Sequence, residues 1–157
     1  MPTTTRVLVK ASVLYLCLGA LLGVVLLFHR WVPLSPAIVL LKTSHVEFLL
    51  VGWLTQLIVG VAWWLFPPLQ IGLSPFSPQP ERRGQAQRGS EFLFWTTFVC
   101  LNGGVWLKAL CEPLYRGTGL ALWSGLSSLS SLFLLAAAIT FVVNLWRRVR
   151  VLGHKAA

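Results

Sequence analysis

The sequence predicts an all-α integral membrane protein: a four-helix bundle with its N- and C-termini in the cytoplasm. Three observations carry that reading. Four apolar stretches are long enough to cross a hydrocarbon core of about 30 Å, which takes about 20 helical residues. Hydrophobic residues make up 56% of the 157 and charged residues only 11%, where a soluble domain carries about a quarter. Of eight tryptophans, several sit near the ends of the apolar runs, where interfacial aromatics belong. The whole chain, residues 1–157, reads as a single transmembrane domain.

Span one is expected over residues 7–28. Arg6 and Lys10 precede it as they would precede a signal peptide. The run is longer than a signal core of about 7–15 residues and no A-x-A site follows, so a retained helix is expected. "HRWVPLSP" then carries two prolines and ends the helix. The short apolar "AIVLLK" either extends span two or lies at the interface. Span two is expected over residues 43–66. A proline- and arginine-rich cytoplasmic loop, residues 67–90, leads to span three, residues 91–111. Ser90 and Glu91 suit its N-terminus: the hydroxyl accepts a free backbone N–H, and the acid complements the positive helix end. Pro113 is expected to close it, with "YRGTG" as the last turn. Span four covers residues 120–146, followed by a basic tail, residues 147–157, that anchors on anionic headgroups.

Charge sets the orientation. The net charge is +9. With four spans, Arg6, Lys10, Arg82, Arg83, Arg88, Arg147, Arg148, Arg150 and Lys155 share one side, while Arg30, Lys42, Lys108 and Arg116 share the other. The positive-inside rule puts the richer side in the cytoplasm, and the expected location is the bacterial inner (plasma) membrane. The basic residues answer to the lipid bilayer rather than to nucleic acid, because no basic surface domain is left once the spans are removed. The chain carries no P-loop, G-x-S-x-G, H-E-x-x-H or dinucleotide fingerprint.

The polar groups inside the spans are the candidate functional residues. His45 can ligate iron, copper or zinc, or carry protons. By helical steps of three and four it shares a stripe with Leu49, Gly52, Gln56, Gly60 and Trp63. The two glycines leave a groove that admits either a flat cofactor below His45 or a neighbouring helix. Gln56, near mid-span, needs a hydrogen-bond partner that lipid does not offer, and Asn102 is one candidate. Lys108 and Glu112, spaced i,i+4, are expected to pair, either as a rim for an anionic group or as an interfacial ion pair. Ser124, Ser128 and Ser131, and Ser127 with Ser131, form stripes that let helices pack closely. Cys17 and Cys100 read as small buried hydrophobes, and Cys111 as a group at a helix end. No C-x-x-C is present, so neither a zinc site nor a covalently attached c-type haem is indicated.

"SHVEFLLVGWLTQLIVGVAWWLFP" and "LNGGVWLKALCEPL" resemble the second and third helices of proteins related to the haem-copper oxidase catalytic subunit. The likeness is to the short four-helix relatives and the NnrS-type haem and copper membrane proteins, and it covers about half the chain. It implies a haem b with His45 as the metal ligand, Gly52 and Gln56 lining it, and Lys108 with Glu112 as its polar rim. It departs from the family at Glu47, where some relatives carry a second histidine, and at Lys108, where arginine is more usual. With no further intramembrane histidine, a complete oxidase or reductase is not expected. The resemblance implies an electron-transfer, gas-sensing or accessory role, with a homo-oligomer or a respiratory membrane protein as partner. A cofactor-free structural or assembly protein, or a small transporter, are the other readings of the same residues.

Overall fold

The computed structural model describes residues 3–66 and 89–152, and the regular elements there are helices. Helix α1 is Thr3–Trp31 (29 residues). Helix α2 is the composite rod Pro36–Leu65 (30 residues). Helix α3 is Glu91–Thr118 (28 residues) and α4 is Ala121–Leu152 (32 residues). All four have the length and hydropathy of membrane spans. Of the expected loop and tail, residues 67–88 and 153–157 lie outside the described residues. Helix α4 runs past Trp146 into the expected tail.

Most helix ends follow from local chemistry. Ser35 is extended (φ −158°, ψ 139°) and its hydroxyl accepts from the Ala37 N–H at 3.4 Å. Extended backbone is what a residue before proline prefers, and proline suits a first helical turn. "AIVLL" therefore enters a tight 3₁₀ turn, Pro36–Leu41, and extends α2. Phe66 leaves the helix at φ −72°, ψ 134°, again because a proline follows. The Ser90 hydroxyl caps α3 by accepting from the Leu93 N–H at 3.4 Å, as expected.

Pro113 does not close α3. The helix continues to Thr118 and ends at Gly119, whose φ of +69° is the left-handed C-cap conformation. A proline inside a helix leaves the carbonyl four residues earlier without its N–H donor. That carbonyl belongs to Ala109, and the Ser44 hydroxyl donates to it at 2.5 Å. A side chain of α2 thus replaces the missing backbone bond, and the helix survives the proline.

The packing stripes explain how the helices fit. Helix α1 buries Thr5, Leu8, Ser12, Tyr15 and Gly19. Helix α4 buries Ser127, Ser130, Ala137, Asn144 and Arg148, with Leu134 and Phe141 half-buried between them. Both stripes alternate steps of three and four, the spacing of left-handed bundles. Helix α2 differs: Ser44, Phe48, Gly52 and Gln56 are all buried and follow one another in steps of four. In a regular α-helix of 3.6 residues per turn such a row drifts round the axis by about 40° at each step. The segment Phe48–Thr55 is instead a π-helix, whose wider i→i+5 turns hold the row on one side.

Helices α1 and α2 run antiparallel and interlock through glycine. A Cβ at Gly19 would lie 2.6 Å from the Leu49 side chain, and one at Gly23 2.8 Å from the His45 ring. In the reverse sense, a Cβ at Gly52 would lie 2.6 Å from the Tyr15 ring and one at Gly60 3.0 Å from Leu8. Helix α3 packs chiefly on α4, and α2 meets α3. There Gly104 sits against Leu134 and the Ser130 carbonyl. Of the expected serine stripes only Ser127 is buried; the buried pair is Ser127 and Ser130, which follow the three-four spacing. The interior holds two apolar clusters, one around Leu8, Val59, Trp63 and Phe94, the other around Tyr15, Phe48, Val105 and Ala109.

At the Phe66 end, α4 holds the neighbouring chain ends. The Asn144 side chain accepts from the Ser90 N–H at 3.0 Å and donates to the Ser90 carbonyl at 2.9 Å. Arg148, expected in an exposed tail, is fully buried. Its guanidinium donates to the carbonyls of Trp63 and Phe66 and lies 5.2 Å from the Trp63 ring centroid. A cation at these last carbonyls suits the negative end of α2.

Two substitutions test this packing. Gly52→Ala drives a methyl into the stiff Tyr15 ring and is expected to destabilise the bundle by about 1–3 kcal/mol. Gly103→Ala meets only Phe133 at 3.8 Å and should leave stability nearly unchanged; unfolding in detergent reads both. Ser44→Ala is expected to cost about 1–3 kcal/mol by orphaning the Ala109 carbonyl. Pro113→Ala, which restores the backbone donor, should remove most of that cost. Additive effects in this double-mutant cycle would contradict the exchange of partners.

Candidate functional site

The candidate residues fall into three places rather than one pocket. His45 lies in the first full α-helical turn of α2 and faces α1. Its Nδ1 is 2.7 Å from the Gly19 carbonyl oxygen. A carbonyl only accepts, so Nδ1 carries a proton, and in the neutral ring Nε2 presents its lone pair. Nε2 has no hydrogen-bond partner among the described residues and is not one of their enclosed polar atoms. The ring lies over Gly23, where a Cβ would meet Cε1 at 2.8 Å. A backbone carbonyl that fixes the tautomer and orientation of a ring is the usual support of a ligating histidine.

The groove below His45 is filled by α1. Tyr15 occupies the space over Gly52, and Leu8 the space over Gly60. The glycine stripe therefore admits a neighbouring helix, and no flat group fits between α1 and α2 at those levels.

Glu47, Lys108 and Glu112 form a second centre, on the face of α2 turned toward α3. The charges of Lys108 and Glu112 both act on Glu47, one of whose carboxylate oxygens is enclosed without a hydrogen-bond partner. Lys108 and Glu112 do not form the expected ion pair. Glu112 pairs with Arg116 at 3.0 Å, also at i,i+4, and accepts from the Ser127 hydroxyl at 2.8 Å. Extending α3 beyond Pro113 is what brings Arg116 onto the same face. Lys108 is half-buried and forms no salt bridge among the described residues. His45 faces α1 and this cluster faces α3, so one chain does not assemble His45 and the Lys108–Glu112 rim around a common ligand.

Gln56 is the third. Its side chain is fully buried, and neither Oε1 nor Nε2 has a hydrogen-bond partner. Asn102, the candidate partner, is engaged elsewhere. Its Oδ1 accepts from the Tyr15 hydroxyl at 2.8 Å and its Nδ2 donates to the Phe98 carbonyl at 2.8 Å. The Tyr15–Asn102 bond joins α1 to α3 and was not expected, although a tyrosine in the middle of an apolar run signals a need for a partner.

The three cysteines are free: Cys111 is buried, Cys100 half-buried and Cys17 exposed on the outer face of α1. Cys111 is not at a helix end, because α3 continues to Thr118. Among the described residues no group of three or more His, Cys, Asp or Glu side chains is placed to hold a metal ion.

Comparison with protein-family models, curated proteins and solved structures finds no match for this chain. The likeness of α2 and α3 to the haem-copper oxidase relatives therefore rests on the residues of those two helices alone.

Proposed function

We propose that the chain is a small protein of the bacterial inner membrane. Its four helices cross the bilayer, both termini are cytoplasmic, and His45 at the outer face is an iron ligand for a haem b shared with a partner or a second copy. The observation that carries this reading is the Nδ1–Gly19 contact of 2.7 Å with Nε2 left unpaired and open. It supports ligation from outside the bundle, since Tyr15 and Leu8 fill the interior groove. A haem bound there would supply reversible one-electron chemistry, in an electron-transfer, gas-sensing or accessory role. The contribution of this chain is to hold the imidazole in one tautomer and one orientation. Lys108, with no salt bridge of its own among the described residues, is a cation for an anionic group only on a ligand that approaches from the α3 side.

The filled glycine seam favours a second reading, a cofactor-free structural or assembly protein in which His45 serves as a hydrogen-bonded packing residue. A spectrum separates the two. Protein purified from membranes is expected to show a Soret band, lost or shifted in His45→Ala. Gly23→Ala, which crowds the ring, should weaken the band. A wild-type preparation without haem absorbance would leave the cofactor-free reading. Orientation is read by labelling single cysteines in intact cells, in a cysteine-free background. Thr118→Cys should react with an impermeant reagent and Ser77→Cys should not. The opposite pattern would move His45 to the cytoplasmic face.

A further inference from the structure

The middle of the bundle carries an unusual burden. Gln56 is 0% exposed, and its carbonyl and amino groups both lack partners. Within an apolar interior an unmade bond of this kind leaves the loss of hydration uncompensated. Native interiors pair such groups with protein or with ordered water.

The neighbours leave few candidates. Tyr15 against Gly52 and Leu8 against Gly60 fix the antiparallel register of α1 and α2. Gln56, midway between the two glycines, is thereby set at the level of Ser12, midway between Leu8 and Tyr15. Ser12 is also 0% exposed. Its hydroxyl donates to the Val9 carbonyl at 2.8 Å, which leaves its oxygen only as an acceptor. Toward one side Tyr15 and Asn102 satisfy each other, and five residues before Asn102 along α3 the Thr97 hydroxyl is bonded to that of Thr140 at 2.9 Å. The remaining buried residues near this level, Val59, Leu101 and Ala137, offer no side-chain polar atom. Among the described residues no buried carboxylate or cation belongs to the layer, so nothing there recommends a charged ligand.

We infer that Gln56 and Ser12 form an internal water site between α1 and α2, in the apolar middle of the bundle. A neutral donor and acceptor suits an amide that must both give and receive, and a buried water needs two to four polar partners. The Gln56 amino group and carbonyl, with the Ser12 oxygen, supply three. The site would keep α2 polar at mid-span without a direct side-chain bond to α3.

The test is proton-detected NMR of protein labelled with 15N-glutamine in deuterated lipid. The Gln56 side-chain signal is assigned by its loss in Gln56→Met. The expected result is a cross-peak between that NH2 group and water, reduced at least twofold in Ser12→Val. Folding of that variant is confirmed by an unchanged backbone spectrum; if it does not fold, Ser12→Ala replaces it. Absence of a water cross-peak to the assigned Gln56 amide would overturn the proposal. A cross-peak that is unchanged in the folded Ser12 variant would overturn the part assigned to Ser12.

Discussion

The structure depends on the close approach of α1 and α2. Four contacts set it, and in each a glycine on one helix receives a larger side chain from the other: Leu49 on Gly19, His45 on Gly23, Tyr15 on Gly52 and Leu8 on Gly60. Helices in lipid gain little from burying apolar side chains, because lipid tails are as apolar as leucine. Association comes instead from close van der Waals contact and interhelical hydrogen bonds. The interlock supplies both. It lets the backbones approach, and it carries the Tyr15 hydroxyl to Asn102 on α3 and His45 Nδ1 to the Gly19 carbonyl. The π-helix Phe48–Thr55 belongs to the same constraint, since it holds the buried row of α2 in line.

The second requirement is that backbone groups enclosed in an apolar interior find partners. Pro113 removes one N–H, and Ser44 of another helix makes good the loss at the Ala109 carbonyl. The last carbonyls of α2 are met by the Arg148 guanidinium, and the two backbone polar groups of Ser90 by the Asn144 amide. In each case a polar side chain on one helix repairs an interruption in another. These side chains are therefore more deeply buried than their types suggest, Arg148 most of all.

The same logic divides the candidate site. Adjacent residues on α2 serve different partners: Ser44 reaches α3, His45 reaches α1, and Glu47 turns back toward Lys108 and Glu112. A helix spreads neighbouring side chains by about 100° each, so groups close in sequence are not close in purpose. The stripe from His45 to Trp63 was legible from its spacing, as was the choice between cofactor and helix as occupant of its groove. Which of the two fills the groove depended on the register of α1. Nothing in the sequence of α2 specifies that Tyr15 arrives at Gly52.

Four apolar runs, proline punctuation and the Ser90 cap were enough to define four helices and the chain breaks next to Phe66 and Ser90, because they act through local sterics and hydrogen bonding. Three departures involve a partner from elsewhere in the chain. Pro113 stays helical because Ser44 is present, Glu112 takes Arg116 and Ser127 rather than Lys108, and Asn102 takes Tyr15 rather than Gln56. By itself the sequence determined the helical class, the length of each apolar rod and the small-residue faces available for packing. The tertiary structure decided which faces met and which polar groups found one another. That decision turns on interhelical register, where a shift of one turn exchanges every partner while leaving each helix as apolar and as stable as before.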